Sequence, residues 1–548
     1  MVTISVRKKD FLKLVGKHVS DKELEETLPL IKCAVEGITE EEMALEITGD
    51  RPDLLSSEGV ARALKGFLGM EKGAPKLRLK KSGMKIMVER SVEPVRPFVV
   101  SAVVKGIEIT GGYIKGLMQL QEKLHLTHGR KRRKVAIGIH NLDVLTGDFV
   151  YKAVLPEEIE FVPLGKHTKM NLKEILEKHE KGREYAFTLE GKQLYPIILD
   201  GKGEVVSFPP IINNSLTVVT EETRNFFLDL TGENFDAVNV ALNILCHDFQ
   251  DRGASIESVE VIYPNNRIIE TPVVKETAMR VGFEEANKML GIHLKALEMV
   301  ELLKKQRIDA VAEGGWVNTK IPCYRGDFLH PVDLIEEIAI GYGFNNFEPL
   351  APRIFTKGSA STLTVLVNKA RDLAIGAGFL ETHTYVITNE NTLRKAKTSE
   401  KPVIISNPVS LDLNCLRPRI TPILLEALSK NTHNDYPQRV FEAGEVVVLK
   451  EGTETETQTQ FNLAAVSAHA EANFSEIVSA LDAIMKGLRR KYELKKTKKE
   501  RFIEGRCAEI IEGGRVGGEV GEVHPLVLKE FGLTMPCASF EFKLKEVE

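Results

Sequence analysis

CYRGDFLHPVDLIEEIAIGYGF, running from Cys323 to Phe344, gathers four carboxylates around the start of one helix. Pro331 opens that helix and Gly341-Tyr342-Gly343 closes it. On it, Asp333, Glu336 and Glu337 stand at i, i+3 and i+4 and share one face. Leu334, Ile335 and Ile338 lie on the opposite side, ready to pack inward. Asp327 comes just before the helix and reaches the same spot. Two accounts of these acids compete. Acidic residues favour the first turn of any helix because they meet its dipole, by roughly 0.3–1 kcal/mol each. Four converging carboxylates would instead hold a hard cation, and all-oxygen ligands favour magnesium over zinc.

The surrounding segment, from Arg267 to Phe347, reads as a short helix (Phe283 to Leu290, stopped by Gly291) and a second helical stripe (Leu294, Leu297, Val300, Leu303). A strand-like stretch from Trp316 to Tyr324 then precedes the acidic helix. Helices plus a small hairpin predict a winged-helix-like module. An acidic third helix argues against DNA there, because it repels phosphates. A phosphodiesterase centre is disfavoured too, since companion histidines are missing.

Three further segments flank this one. The first, to about Lys81, holds the turn Asp50-Arg51-Pro52-Asp53 and a helix from Ser57, with APKLRLKKSG as linker. The next reaches Pro264 and is mixed. Val135, Ile137 and Ile139 alternate as a strand. Ile197 to Leu199 and Val205 to Phe208 pair as a hairpin across Asp200-Gly201-Lys202-Gly203. Asp236 is placed to cap a helix with the stripe Val238, Leu242, Leu245 and Phe249. After a Pro-containing linker (Glu348 to Arg353), the last segment shows the helical stripe Leu366, Ala370, Leu373 and Ala377. Strand-like runs follow at Thr382 to Ile387, Val403 to Ser406 and Val440 to Val448. Thr421-Pro422 starts another helix. EGTETETQTQ reads as a surface loop. The fold class is thus α+β and multidomain.

The 548 residues, 43% hydrophobic and 28% charged, form an ordinary globular composition with mass for several cores. A net charge of −4 is unlike a dedicated nucleic-acid binder, so any RNA contact must be local or supplied by another chain. The six scattered cysteines disfavour a zinc ribbon and a disulfide framework. MVTISVRKKDF has no apolar core of signal-peptide length, and no stretch has the ~20 apolar residues of a membrane span, so a cytoplasmic location with no membrane partner is expected.

GDRPDLLSSEGVARAL (Gly49 to Leu64), PCYRGDFLHPVDLIEEIAIGYGFN (Pro322 to Asn345) and the order of the four segments together resemble the phenylalanine–tRNA ligase beta subunit family of the archaeal/eukaryotic type. The resemblance implies an N-terminal domain (1–84), a mixed α/β editing domain (85–264) and a winged-helix-like magnesium-binding domain (265–347). A degenerate, non-catalytic class II synthetase-like antiparallel sheet domain (354–548) would follow. It implies Mg²⁺ held by Asp327, Asp333, Glu336 and Glu337 near an alpha subunit. That subunit would bind ATP and phenylalanine in an α2β2 tetramer acting on tRNA(Phe). It further implies hydrolysis of mischarged Tyr-tRNA(Phe) in a pocket of Ile198, Ser207, Asp229 and Thr231. On the residues alone, Asp229-Leu230-Thr231 before Gly232 also reads as a polar turn ending a strand. His140 reads either as a contact to the terminal ribose of tRNA or as a surface or packing residue. The run Arg130 to Lys134 reads either as a phosphate contact or as a solvated face. No arginine follows Phe441, where a catalytic one is expected, and GEVHPLVLKEFGLTMPCASFEF lacks a Gly-rich, Arg-ending helix for ATP phosphates. A structural, tRNA-binding partner without chemistry is the alternative function.

Overall fold

The computed structural model describes residues 2–546, which gather into two compact units divided between Leu350 and Ala351. Among the described residues no helix is long and apolar enough to cross a membrane.

The first unit opens with a three-stranded antiparallel sheet in which Glu42–Ile47 lies between Val2–Arg7 and Cys33–Ile38. The helix Ser57–Phe67 follows, with the Ser56 hydroxyl accepting from Gly59 N. Its buried residues Val60, Ala61 and Leu64 share one core with Val238, Leu242, Leu245 and Phe249 of the helix Phe235–Asp251. Asn234 caps that helix, not Asp236 as expected: its side chain accepts from Ala237 N at 2.8 Å.

A ten-stranded mixed sheet forms the centre of the unit. Its strand Phe226–Gly232 is hydrogen-bonded on both sides, to Phe98–Lys105 and to Val135–Asn141. Alternation assigns the two faces. Phe226, Leu228 and Leu230 enter the core beneath Phe235–Asp251, while Phe227 enters a second core with Phe149, Tyr151 and Ile198. Asp229 and Thr231 share the parity of Phe227, so two polar side chains are carried into the interior on that face. The 84/85 boundary expected from sequence falls inside the strand Leu79–Val88, which joins this sheet in parallel with Ser255–Tyr263. The second half of the stretch read as linker, from Leu79 on, therefore becomes ladder. The 264/265 boundary moves as well, because Arg267–Thr271 still pairs with Ser255–Tyr263.

The segment holding the acidic helix is a three-stranded sheet ordered Thr277–Gly282, Trp316–Ile321, Asp309–Glu313, with helices Phe283–Leu290, Ala296–Lys305 and Pro331–Tyr342. Gly291 ends the first helix in the left-handed region at φ 71°. The second stripe is shifted from expectation. Met299, Val300 and Leu303 are buried, whereas Leu297 is 72% exposed.

The second unit is a seven-stranded, almost wholly antiparallel sheet, running from the edge strand Leu380–Glu381 through Gln438–Leu449 and Thr457–Ala468 to the edge strand Glu493–Lys496. Helices Thr362–Gly376 and Phe474–Gly487 share one of its cores, and Thr421–Lys430 and Pro525–Glu530 the other. The last four residues of the expected loop EGTETETQTQ are strand, since pairing with Gln438–Leu449 begins at Thr457. The expected run from Thr382 to Ile387 contains strand only at Ile387, which pairs with Leu416.

Candidate active site

Asp229 stands in mid-strand opposite Gly138 and Ser101, and only 2% of it is exposed. Its Oδ2 accepts a hydrogen bond from Ser207 Oγ at 3.0 Å and lies 2.7 Å from His140 Nε2. His140 Nδ1 lies 2.8 Å from Thr217 Oγ1. A ring nitrogen facing a carboxylate must carry a proton, so Nε2–H donates to Asp229. Burial makes this chain rigid, because an unpaired carboxylate here would cost several kcal/mol.

Ser207 and Asp229 line a cavity of about 210 Å³. Its apolar walls include Ile137, Phe208 and Ile212, and its polar residues include Gln121, Glu122, Arg132 and Asn213. Gly138 keeps the floor open. A Cβ at that position would stand 2.6 Å from Asp229 Oδ2 and 2.6 Å from His140 Nε2. Any side chain there would displace the carboxylate from the cavity.

Of the four residues expected to line the pocket, two do so. Ile198 is fully buried in the apolar core, opposite Ser207 in one ladder and Tyr151 in the other, and is not in the cavity wall. Thr231 is also outside the wall. Buried Arg96 takes both its Oγ1, at 2.8 Å, and its carbonyl, at 2.6 Å, so it serves to anchor the strand. His140 is neither a surface residue nor a free ligand for ribose. It is 0% exposed and holds Asp229 from behind.

The sequence reading missed Gln121, Glu122, Arg132 and Asn213. Arg132 lies inside the basic run, whose residues part company in the structure. Arg130, Lys131 and Arg132 all adopt positive φ (48°, 54° and 66°). Left-handed backbone costs roughly 1–2 kcal/mol per non-glycine residue, a strain held by surrounding contacts. Its effect is to turn Arg132 inward. There the guanidinium donates to the carbonyls of Pro210 and Ile211, reaches Glu122 at 2.7 Å and lies 4.0 Å over the Tyr185 ring. Arg133 stacks on Phe187 at 5.0 Å, so the run is not one continuous solvated face. The His125 ring, 3.8 Å away, and the Arg132 guanidinium hold the Glu122 carboxyl down at about 2. Burial pushes His125 itself down to about 4, and its Nε2 accepts from Ile137 N at 2.8 Å.

The acidic block behaves differently from expectation. Arg325 binds Asp327 with both prongs, at 2.8 and 2.6 Å, and reaches Glu337 at 2.7 Å. Arg51 repeats the arrangement with Asp53, at 2.8 Å on each prong, and approaches Glu337 to 3.9 Å. Asp333 accepts from the Leu329 and His330 amides at 2.6 and 2.7 Å, capping its helix. Glu336 pairs with Lys32 at 3.0 Å. Asp327 and Glu337 thus meet at Arg325, while Asp333 and Glu336 are held by other partners, so the four do not share one point. Each is neutralised by a cation or helix amide of this chain, a donor set that does not fit a shared Mg²⁺. Among the described residues no three His, Cys, Asp or Glu side chains are placed to hold a metal ion.

Comparison with known proteins accounts for both ends of the chain. Residues 349–544 match the phenylalanyl tRNA synthetase beta chain CLM domain, and residues 279–344 match the tRNA synthetase B5 domain. The chain is 44% identical over 524 residues to the phenylalanine–tRNA ligase beta subunit of Archaeoglobus fulgidus, covering 94% of each. It is 38% identical over 552 residues to that of Methanocaldococcus jannaschii, covering 100% of each. A crystal structure of an N-terminal fragment of the phenylalanyl-tRNA synthetase beta subunit from Pyrococcus horikoshii aligns with a TM-score of 0.60 at 39% identity. That alignment covers 62% of this chain and 99% of the fragment. With full-length relatives at this identity, the chain belongs to the phenylalanine–tRNA ligase beta subunit family.

Proposed function

We propose that this chain works with an alpha subunit in attaching phenylalanine to tRNA(Phe), and that its own chemistry is hydrolysis of mischarged Tyr-tRNA(Phe) in the Asp229 cavity. The observation that carries this reading is the buried Ser207–Asp229–His140 chain at a cavity floor that Gly138 leaves open. Tyrosine is phenylalanine plus one hydroxyl, and an apolar pocket rejects an added hydroxyl by only ~10²-fold. A pocket that hydrogen-bonds the hydroxyl reverses the preference. Ile137, Phe208 and Ile212 supply apolar walls for the ring. Asp229 uses Oδ2 for Ser207 and His140, and a carboxylate retains further acceptor capacity for a phenol or a water. Phenylalanine would leave that capacity unpaired. Glu122 stays ionised and available to the substrate's ammonium, because His125 and Arg132 stabilise its charge.

The second unit supports the assignment of amino-acid activation to the alpha subunit. Its main sheet is almost wholly antiparallel, as the class II synthetase-like reading requires, but buried Arg417 and Arg501 and half-buried Arg419 are engaged. Arg417 meets Glu442 at 2.7 Å, Arg419 meets Glu519 at 2.6 Å, and Arg501 meets Glu519 at 2.5 Å. Cations so tied do not stabilise developing phosphate charge. The isolated chain is accordingly expected to show no ATP–pyrophosphate exchange.

The test of the editing reading is Asp229→Ala and Ser207→Ala in the enzyme assembled with its alpha subunit. Each should slow deacylation of Tyr-tRNA(Phe) at least tenfold while phenylalanine charging stays within about twofold of the parent. Deacylation at the parental rate in both variants would leave the chain as a structural, tRNA-binding partner.

A further inference from the structure

The strand Glu493–Lys496 forms one edge of the second unit's sheet, and all four of its residues are exposed. It lies within KGLRRKYELKKTKKER, Lys486 to Arg501, which carries nine cations against two acids in a chain of net charge −4. Five of these cations have carboxylate partners. Lys486 meets Asp482 at 2.5 Å, Arg490 meets Glu512, Lys498 meets Glu504 at 3.0 Å, Lys499 meets Glu509 at 3.2 Å and Arg501 meets Glu519. The other four, Arg489, Lys491, Lys495 and Lys496, are exposed and have no ion pair or side-chain hydrogen bond among the described residues.

Of these four, Lys491 lines a groove of about 690 Å³ between the end of the helix Phe474–Gly487 and the turn Gly513–Gly514, whose wall also holds the carboxylates of Asp482 and Glu493; Arg489, Lys495 and Lys496 flank that wall in sequence. Lys486, Arg490, Lys491 and Tyr492 line it. Both glycines have positive φ, 52° and 78°, and an added Cβ on either would meet nothing within 4 Å, so the rim is low and open on that side. Lysines on an exposed edge strand discourage pairing with other strands. That accounts for Lys495 and Lys496, but not for Arg489 and Lys491, which precede the strand.

We propose that this rim of the second unit is an RNA-backbone binding surface, with Arg489, Lys491, Lys495 and Lys496 meeting phosphates and the Tyr492 groove admitting a nucleotide. Four uncompensated cations within eight residues, one of them in the groove wall, complement a polyanion, and their contacts release counterions. The choice of tRNA as that polyanion rests on the ligase reading above; it does not depend on the Asp229 cavity.

The experiment uses the complex with the alpha subunit and measures tRNA(Phe) binding from 50 to 300 mM salt. One variant combines Arg489→Gln, Lys491→Gln, Lys495→Gln and Lys496→Gln; a control combines Arg489→Lys, Lys491→Arg, Lys495→Arg and Lys496→Arg. Each phosphate that is no longer neutralised removes about 0.7–0.9 from the log–log salt slope, so the four-residue glutamine set should make it shallower by about 3–4. Binding near 150 mM should weaken at least tenfold in that set, with the control close to the parent. Deacylation of Tyr-tRNA at saturating concentration is read alongside, so failure of the editing reading stays distinguishable. Unchanged affinity and salt dependence in the glutamine set would overturn the proposal. So would equal losses in both sets, or a loss of binding to phosphatidylserine vesicles with tRNA affinity intact.

Discussion

Around Asp229, space and charge are rationed by single residues. Gly138→Ala is expected to drive a methyl group into the carboxylate and imidazole, each 2.6 Å from the new Cβ. Overpacking of this kind costs about 1–3 kcal/mol. It should also cut Tyr-tRNA deacylation more than tenfold with phenylalanine charging preserved; parental deacylation kinetics would remove Gly138 from the site. Arg325 is the corresponding single point in the acidic block. Arg325→Ala would strand Asp327 and buried Glu337 together. Removing one partner of a buried pair costs about 3–5 kcal/mol, readable as a lower urea midpoint. Arg325→Lys should recover only part, because an ammonium lacks the two-pronged geometry that Asp327 engages. A destabilisation under about 1 kcal/mol for the alanine variant would contradict the network.

Among elements, the helix Gly111–Leu126 is tied to the pocket strand through His125, whose Nε2 accepts from Ile137 N. His125 is neutral in the fold, with its proton affinity pushed from the usual 6.5 to about 4 by burial. The unfolded chain therefore takes up this proton first as pH falls. Stability is fully present above pH 6.5 and is lost between about 6.5 and 4, on the order of 3 kcal/mol for this group. His125→Gln, which retains an acceptor for Ile137 N, should flatten the melting profile over that window. A profile as steep as the parent's would assign the acid sensitivity elsewhere. The start of the helix Phe235–Asp251 offers a second test. Asn234→Ala should cost about 1 kcal/mol in thermal unfolding and Asp236→Ala distinctly less, since Asn234 makes the capping bond. The reverse order would restore Asp236 as the cap. Asn and Asp both cap well, so residue type alone does not separate Asn234 from Asp236. Only the extended backbone at Asn234, φ −137°, distinguishes them.

For the whole molecule, the division after Leu350 is the largest structural fact. The first unit holds separate hydrophobic cores of its own, so a chain ending there should fold alone and give the circular dichroism and urea transitions of a folded protein. Absence of any urea transition would show that the first unit needs the second. The linker from Glu348 to Arg353 was legible because its Pro and polar residues break both helical and strand periodicity. The inner boundaries at 84 and 264 were not. Leu79–Val88 and Arg267–Thr271 look like polar connectors, yet each is a strand recruited by Ser255–Tyr263. Ladder bonds to a distant strand leave no local signature.

By itself, the sequence determined the elements with strong local chemistry: the helix Pro331–Tyr342, the glycine stop at Gly291, the hairpin from Tyr195 to Phe208 and the family. It also brought Ser207 and Asp229 forward, through that family's motif. Tertiary structure alone decided what the carboxylates do. The partners of Glu337 and Glu336 include Arg51 and Lys32, far upstream in the chain, and the partner of Asp229 is His140 on a neighbouring strand. A charge is legible in a sequence, but its counter-charge is set by which strands and helices come to lie side by side. In the acidic block that packing puts arginines and a lysine among carboxylates that the sequence alone offered to a metal.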